Sequence, residues 1–263
     1  MRNAMLLRVG PAGVETCSWL RLDNEGRPQG DPHTGTFADA ASEAGGLRVV
    51  VLVPGLDVLL TTVHLPGVGR QKLLRAVPYA LEEQLSQDVD TLHFAVGRGL
   101  AGGNHPVAVI ADQRISGLMA AAAAAGLEIQ QVIPDLLAIP HKEGEISVLL
   151  DESIALVRTG DYTGYAVDSE NLAMLIGAQE AANDTPAVVR LLAPAGSQLP
   201  DMAEYPGETQ VESYSGDALY MFARGLGTPV IDLLQGNYSR SGEWGHIWRP
   251  WRATAALLLA GIL

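Results

Sequence analysis

A single cysteine, Cys17, leaves this 263-residue chain without an internal disulfide framework and without a Cys-x-x-Cys zinc site. A reducing compartment fits that usage. Basic side chains are scarce as well: 17 against 30 acidic ones give a net charge of -13. That balance argues against a nucleic-acid backbone as partner and permits a basic protein surface. Charged residues make up only 18% and apolar ones 48%, which excludes a disordered chain and supplies a core. The apolar patch within Met1 to Leu7 is ended by Arg8, too early for a signal-peptide core, so the bulk of the chain is expected in the cytoplasm.

Assembled catalytic motifs are missing too. No Gly-x-Ser-x-Gly elbow offers an acyl-transfer nucleophile. The histidines, at 33, 64, 93, 105, 141 and 246, never pair at i, i+4 or with a nearby cysteine, so no metal site is expected. His64 and His93 read as sheet residues, and Asp88 and Asp90 as capping groups at a helix-to-strand junction. Gly67-Val68-Gly69 follows a strand and opens a helix, but Lys72 stands where a dinucleotide turn needs its third glycine. The loop Gly97 to Gly103 lacks the Lys-Ser/Thr of a phosphate loop and leads into a strand, as a hairpin tip does. No catalytic, cofactor-binding or metal-binding residue is assigned, and the chain is read as a non-enzyme.

What is present alternates strands and helices. Met5 to Val9 and Glu15 to Asp23 read as strands around the turn Gly10-Pro11-Ala12-Gly13. The stretch 30–46 reads as a loop or short helix. Leu47 to Pro54 is continuous and β-branched, the pattern of a strand covered on both faces. Val58 to Leu65 reads as the next strand. Leu74, Val77, Leu81 and Leu85 mark one helix face, with Pro78 as a kink or a new first turn. Strands at Leu92 to Val96 and Pro106 to Ala111, a helix at Ile115 to Ala125 closed by Gly126, and a strand at Leu127 to Val132 complete the first half. Pro134 to Pro140 reads as a hinge-like connection. A second unit repeats the pattern: strands at 146–150, 153–158 and 162–167, a helix at 169–182, a strand at 187–192 and a helix from about Ala218. Strands, helix and strand occurring once in each half predict two related α/β lobes. From Asp232 to Trp251 no period survives, and the stretch reads as a linker.

The block Val77-Pro78-Tyr79-Ala80-Leu81-Glu82-Glu83-Gln84-Leu85, running into Asp88-Val89-Asp90 and Leu92-His93-Phe94, resembles the cytoplasmic domain of the type II secretion system protein L family. Asp232-Leu233-Leu234-Gln235-Gly236-Asn237-Tyr238, ahead of Trp248-Arg249-Pro250-Trp251-Arg252, is similar to the family's stretch before its single membrane helix. The resemblance implies an actin-like, RNase H-type fold of two lobes, related to PilM and FtsA. It implies residues 1–142 as a first lobe with an inserted subdomain at about 61–112, 143–231 as a second lobe, and 232–252 as a juxtamembrane linker. It also implies that the cytoplasmic part recruits the secretion ATPase GspE through that protein's N-terminal domain, with GspM and GspF as further partners at the bacterial inner membrane. A homodimer is a further expectation.

Relatives that hydrolyse ATP carry Asp-x-Gly turns that let backbone N–H groups approach phosphate. Here the first turn reads Arg8-Val9-Gly10-Pro11 and the second Asp151-Glu152-Ser153, with no acid in the former and an extra one in the latter. Both departures predict loss of nucleotide binding; an actin-like ATPase and a pilus-assembly module are the alternative readings. Ala253 to Leu263 is read as the first part of a transmembrane helix, since eleven residues reach about 17 Å against a hydrocarbon core of about 30 Å. Trp248 and Trp251 suit the headgroup region, and Arg249 and Arg252 its cytoplasmic side, as membrane-proximal anchors. The alternative for 253–263 is a terminal helix packed on the core.

Overall fold

The computed structural model describes residues 3–11, 16–181, 186–227 and 229–239. The chain opens with β1 (Ala4–Val9), β2 (Cys17–Leu22) and β3 (Pro28–Gly35), then α1 (Phe37–Ala44) and β4 (Arg48–Val53). An insertion follows: β5 (Val58–His64), α2 (Arg70–Leu81), β6 (Leu92–Val96) and β7 (Asn104–Ala111). The first lobe resumes with α3 (Asp112–Ala124) and β8 (Ile129–Pro134). A one-turn 3-10 segment, Asp135–Ala138, crosses to β9 (Glu145–Asp151), β10 (Ile154–Arg158), β11 (Gly164–Asp168), α4 (Leu172–Glu180), β12 (Val188–Pro194), β13 (Thr209–Tyr214) and α5 (Leu219–Gly225).

The two main sheets have the same construction. One runs β3-β2-β1-β4-β8 and the other β11-β10-β9-β12-β13. In each, the opening strand pairs antiparallel with its hairpin partner and parallel with the strand after the helix. The expected duplication into two α/β lobes is therefore present. The central strands are apolar on both faces because both faces are covered. Met5, Leu7 and Val9 point into the core under α1 and α3. Leu6, Val50 and Leu52 point the other way, into an inter-lobe core shared with Leu149, Leu156, Leu192 and Phe222. Each fully buried side chain of this size stabilises the fold by roughly 1.5–3 kcal/mol. The outer face of the second sheet packs Ile146, Val148 and Leu191 beneath Leu172 and Ile176 of α4.

Two strands escape the sequence pattern. The stretch 30–46, expected as a loop or short helix, holds the short helix α1 but also most of β3, and the sheet tolerates Pro28, Gly30 and Pro32 because β3 is an edge strand. The other edge of the duplicated sheet, β13, is likewise mostly exposed. The expected helix after Gly69 is α2, whose buried face is Leu73, Val77 and Leu81 against the inserted sheet β5-β7-β6. Pro78 sits within its last turn: it has no N–H for the Leu74 carbonyl, and the helix ends three residues later. Glu82–Gln84 forms a 3-10 turn, and Leu85 packs half-buried on the same core. The Pro134 to Pro140 connection is a crossing buried as far as Ile139: Asp135, Leu136, Leu137 and Ala138 all lie inside.

The expected linker from Asp232 does not begin there. Ile231, Leu233 and Leu234 are buried in the first lobe's core. Leu233 N–H donates to the Val132 carbonyl at 2.7 Å, and Val132 N–H donates to Asp232 Oδ1 at 3.1 Å. The physical reason is the apolar set Ile231, Leu233 and Leu234, which is buried beside the edge at β8 rather than facing water.

Candidate functional site

The lobes face each other across an open cleft of about 520 Å³. Its floor is made by the ends of the two equivalent strands, β1 and β9, and by the crossing segment. The two turns singled out in the sequence, at Gly10-Pro11 and at Asp151-Glu152-Ser153, are brought together here. The first is held by Arg114, which donates to the Gly10 carbonyl while pairing with Asp57 at 2.8 Å. The second is a tight hairpin in which Glu152 adopts φ 53°, a left-handed conformation that costs a non-glycine residue about 1 kcal/mol or more.

Arg8 occupies the middle of this cleft. Its Nη1 donates to Asp151 Oδ2 at 2.6 Å and its Nη2 to Asp135 Oδ2 at 3.1 Å. The guanidinium carbon also lies 5.1 Å from the Phe222 ring centroid, a cation–π distance. Asp135 is wholly buried, and its other oxygen accepts the Gly55 N–H at 2.7 Å. Gly55 is required: a Cβ there would stand 2.5 Å from Leu136 Cγ. Burial raises the Asp135 carboxyl to about 6 despite the opposing pull of Arg8. Burial also works against the charge on Arg8, but Asp135 and Asp151 outweigh it and its pKa is raised. With one oxygen of each carboxylate within hydrogen-bonding distance of the guanidinium, the group is an ion pair at neutral pH.

This arrangement is poorly disposed to polyphosphate. One cation stands against Asp135, Asp151, Glu152 and Asp217 among the cleft-lining residues, and it is already spent on two of them. An arriving polyanion would meet net negative charge in a partly desolvated site. Pro11 offers no N–H to a phosphate.

The remaining candidates lie elsewhere. Gly67-Val68-Gly69 opens α2, and Gly97 to Gly103 is the β6–β7 connection, with Gly103 packed too closely on Pro66 to carry a side chain. Asp88 caps a turn by accepting the Asp90 N–H at 3.0 Å. His93 is buried, its pKa lowered by desolvation, and its Nε2 sits 2.7 Å from the Leu233 carbonyl. Cys17 is buried, which lifts its thiol to about 11, with Asp39 adding to the effect. No group of three or more metal-ligating side chains is formed among the described residues. Trp248, Arg249, Trp251 and Arg252 and the run 253–263 lie outside the described residues, among which no helix is long and apolar enough to cross a membrane.

Of two further positions of consequence, Arg158 carried no motif, and Gln235 lay within one that gave no sign of its contacts. Arg158 is fully buried and donates to the carbonyls of Leu137, Ile139, Gly160, Asp161 and Pro229, at 2.7 to 3.4 Å. It thus ties the outward crossing at 137–139 to the return connection at 229. Desolvation lowers its pKa to about 10. Gln235 donates to the Val96 carbonyl at 3.0 Å, accepts the Val96 N–H at 3.2 Å, and receives Arg70 at 3.3 Å.

Two sheets of one strand order, joined by two crossings around a cleft, define a protein of the actin-like, RNase H-type fold class. The structure superposes on the cytoplasmic domain of EpsL, described as an inner membrane component of the type II secretion system of Vibrio cholerae, with a TM-score of 0.76 at 23% identity, covering 90% of this chain and all of that one. A PilM-PilN type IV pilus biogenesis complex gives 0.56 at 14% identity, covering 85% of this chain and 98% of that one. A Bacteroides thetaiotaomicron protein with an actin-like ATPase fold gives 0.50 at 8% identity, over 85% of this chain and 95% of that one.

The sequence model of type II secretion system protein L matches residues 5–241, and the chain belongs to that family. Protein L of Dickeya chrysanthemi is 27% identical over 265 residues, covering all of this chain and 63% of the relative. Protein L of Vibrio cholerae is 30% identical over 224 residues, covering 81% of this chain and 52% of the relative. The chain therefore spans between half and two thirds of the length of these relatives.

Proposed function

We propose that this chain is the cytoplasmic part of an inner-membrane component of the type II secretion platform, which docks the secretion ATPase GspE and does not itself turn over nucleotide. GspM and GspF are its further platform partners in this reading. The observation that carries the non-catalytic part is Arg8, which joins carboxylates of both lobes where an actin-like ATPase would hold phosphate. Family membership supports the secretion role, and the inner-membrane location described for EpsL supports the placement.

Two experiments test the proposal. The chain is expected to retain the N-terminal domain of GspE in a pull-down at physiological salt; failure to bind across salt and pH would sink the docking role. Calorimetry with Mg-ATP is expected to give no binding heat, and a micromolar Kd would reinstate the nucleotide-gated reading that the open cleft invites.

A further inference from the structure

Cations in this acidic molecule are mostly neutralised within it. Seven basic side chains, from Arg8 to Arg224, lie within 4 Å of a carboxylate, and Arg158 is enclosed by carbonyls. The exceptions, apart from Arg48, which donates to Gln131 Oε1 at 2.7 Å, gather in the inserted subdomain. Arg70, Lys72, Arg75 and Arg98 are exposed, and no carboxylate pairs with them among the described residues. Successive helical residues turn by about 100°, which puts Lys72, Arg75 and Tyr79 on the face of α2 opposite the buried Leu73, Val77 and Leu81.

Tyr79 is 75% exposed, more than any other large apolar side chain described, and Leu100 beside Arg98 is 46% exposed. Folding gains nothing from this composition. Three basic residues in the first half of α2 oppose the helix dipole, and no acidic residue or side-chain cap offsets them. Exposed Tyr among Lys and Arg is the composition favoured at a lipid headgroup surface. Glu82, Glu83, Asp88 and Asp90 follow the helix and limit the basic area to its first half and the Arg98 loop.

The position agrees with the chemistry. Gln235 fastens the outgoing chain to Val96, two residues before Arg98, and to Arg70 at the start of α2. The sequence then continues with Arg240, Trp248, Arg249, Trp251 and Arg252 into the apolar run from Ala253. The basic face thus adjoins the point from which the chain heads for its apolar end.

We infer that the outer face of α2, with the adjoining Arg98 loop, rests on an anionic lipid surface and sets the orientation of the domain there. This rests on the proposed membrane placement. The remaining body, strongly acidic, is held away from the same surface by repulsion, so one face alone is selected.

The test uses the full 263-residue chain carrying an environment-sensitive fluorophore at Gln71→Cys, with Ser197→Cys on the second lobe as reference; native Cys17 is buried. Vesicles of phosphatidylcholine alone and with about 30% phosphatidylglycerol are compared. The label at 71 is expected to shift to the blue on anionic vesicles only, and the label at 197 on neither. Neutralising Lys72, Arg75 and Arg98 to Gln is expected to weaken the preference for anionic vesicles by about a hundredfold, from about 1 kcal/mol for each charge near the surface. A vesicle-bound chain whose label at 71 stays in water, or a neutralised variant with unchanged preference, overturns the inference while leaving the membrane placement intact. A chain that binds neither vesicle overturns both. A blue shift with poly-glutamate but not with vesicles also overturns it, in favour of an acidic protein partner.

Discussion

Arg8 and Asp151 lie 143 positions apart in the chain and 2.6 Å apart in space. The pair joins the end of the first strand of one lobe to the end of its counterpart in the other. Asp151 opens the second-lobe turn and Arg8 stands just before the first-lobe turn, so an acid and a cation neutralise each other across the cleft. The cleft is thereby closed on itself by charge.

Arg8→Met is expected to destabilise the fold by about 3–5 kcal/mol at pH 7, because Asp135 is left buried beside no cation. The loss should be smaller at pH 5, where the carboxyl can keep its proton. Urea denaturation at the two pH values measures both. Equal losses at both would show that Arg8 acts through packing on Phe222 rather than through charge.

Asp135 itself gives a pH signature of defined sign. Its carboxyl is raised from 3.8 to about 6 on folding, so between those values the native state holds a proton that the unfolded chain has released. Its contribution to stability is complete below the lower value and is lost as pH rises through the upper one. Wild-type stability relative to Asp135→Asn should therefore fall between about pH 4 and 6 and level off above. A flat difference across that range would contradict the assignment.

Arg158 holds both inter-lobe crossings. Arg158→Met should cost more than about 3 kcal/mol, since at least two buried carbonyls lose donors at roughly 1–3 kcal/mol each. Arg158→Lys should recover only part of it, because one ammonium cannot reproduce a planar fork. Thermal unfolding of the three proteins checks the order.

Gln235→Ala is expected to loosen the chain's last described segment without unfolding the lobes. Amide exchange at Val96 and over 231–239 should speed up by about tenfold, the equivalent of one or two lost hydrogen bonds. Exchange in β9 and β12 should stay as it was.

The elements that were legible in the sequence are those whose apolar pattern is set by burial. β4 and β9 are continuous because helices or the other lobe cover both faces, and α2 shows its period because one face is packed. β3 and β13 were not legible, since edge strands need neither periodicity nor freedom from proline. The start of the expected linker, 232–239, is folded on the first lobe: Gly236 and the polar Gln235 look like linker, while the signal is the apolar Ile231, Leu233 and Leu234. The cleft turns were found from their composition. Their ion pairs were not, because nothing local in Arg8 indicates partners at 135 and 151.

The chain leaves from the lobe in which it began. It crosses to the second sheet at 135–139, returns at 229–231, and is fastened beside β8 and at the end of β6. A pull along the outgoing polypeptide is thus borne by the first lobe alone, through the bonds at Val132 and Val96. The second lobe lies outside that line of force, joined to the first by the crossings clasped by Arg158, by the shared inter-lobe core and by the Arg8–Asp151 pair. A load placed on the second lobe therefore reaches the mooring through those contacts, with Tyr162 packed in the same cluster as Ile231.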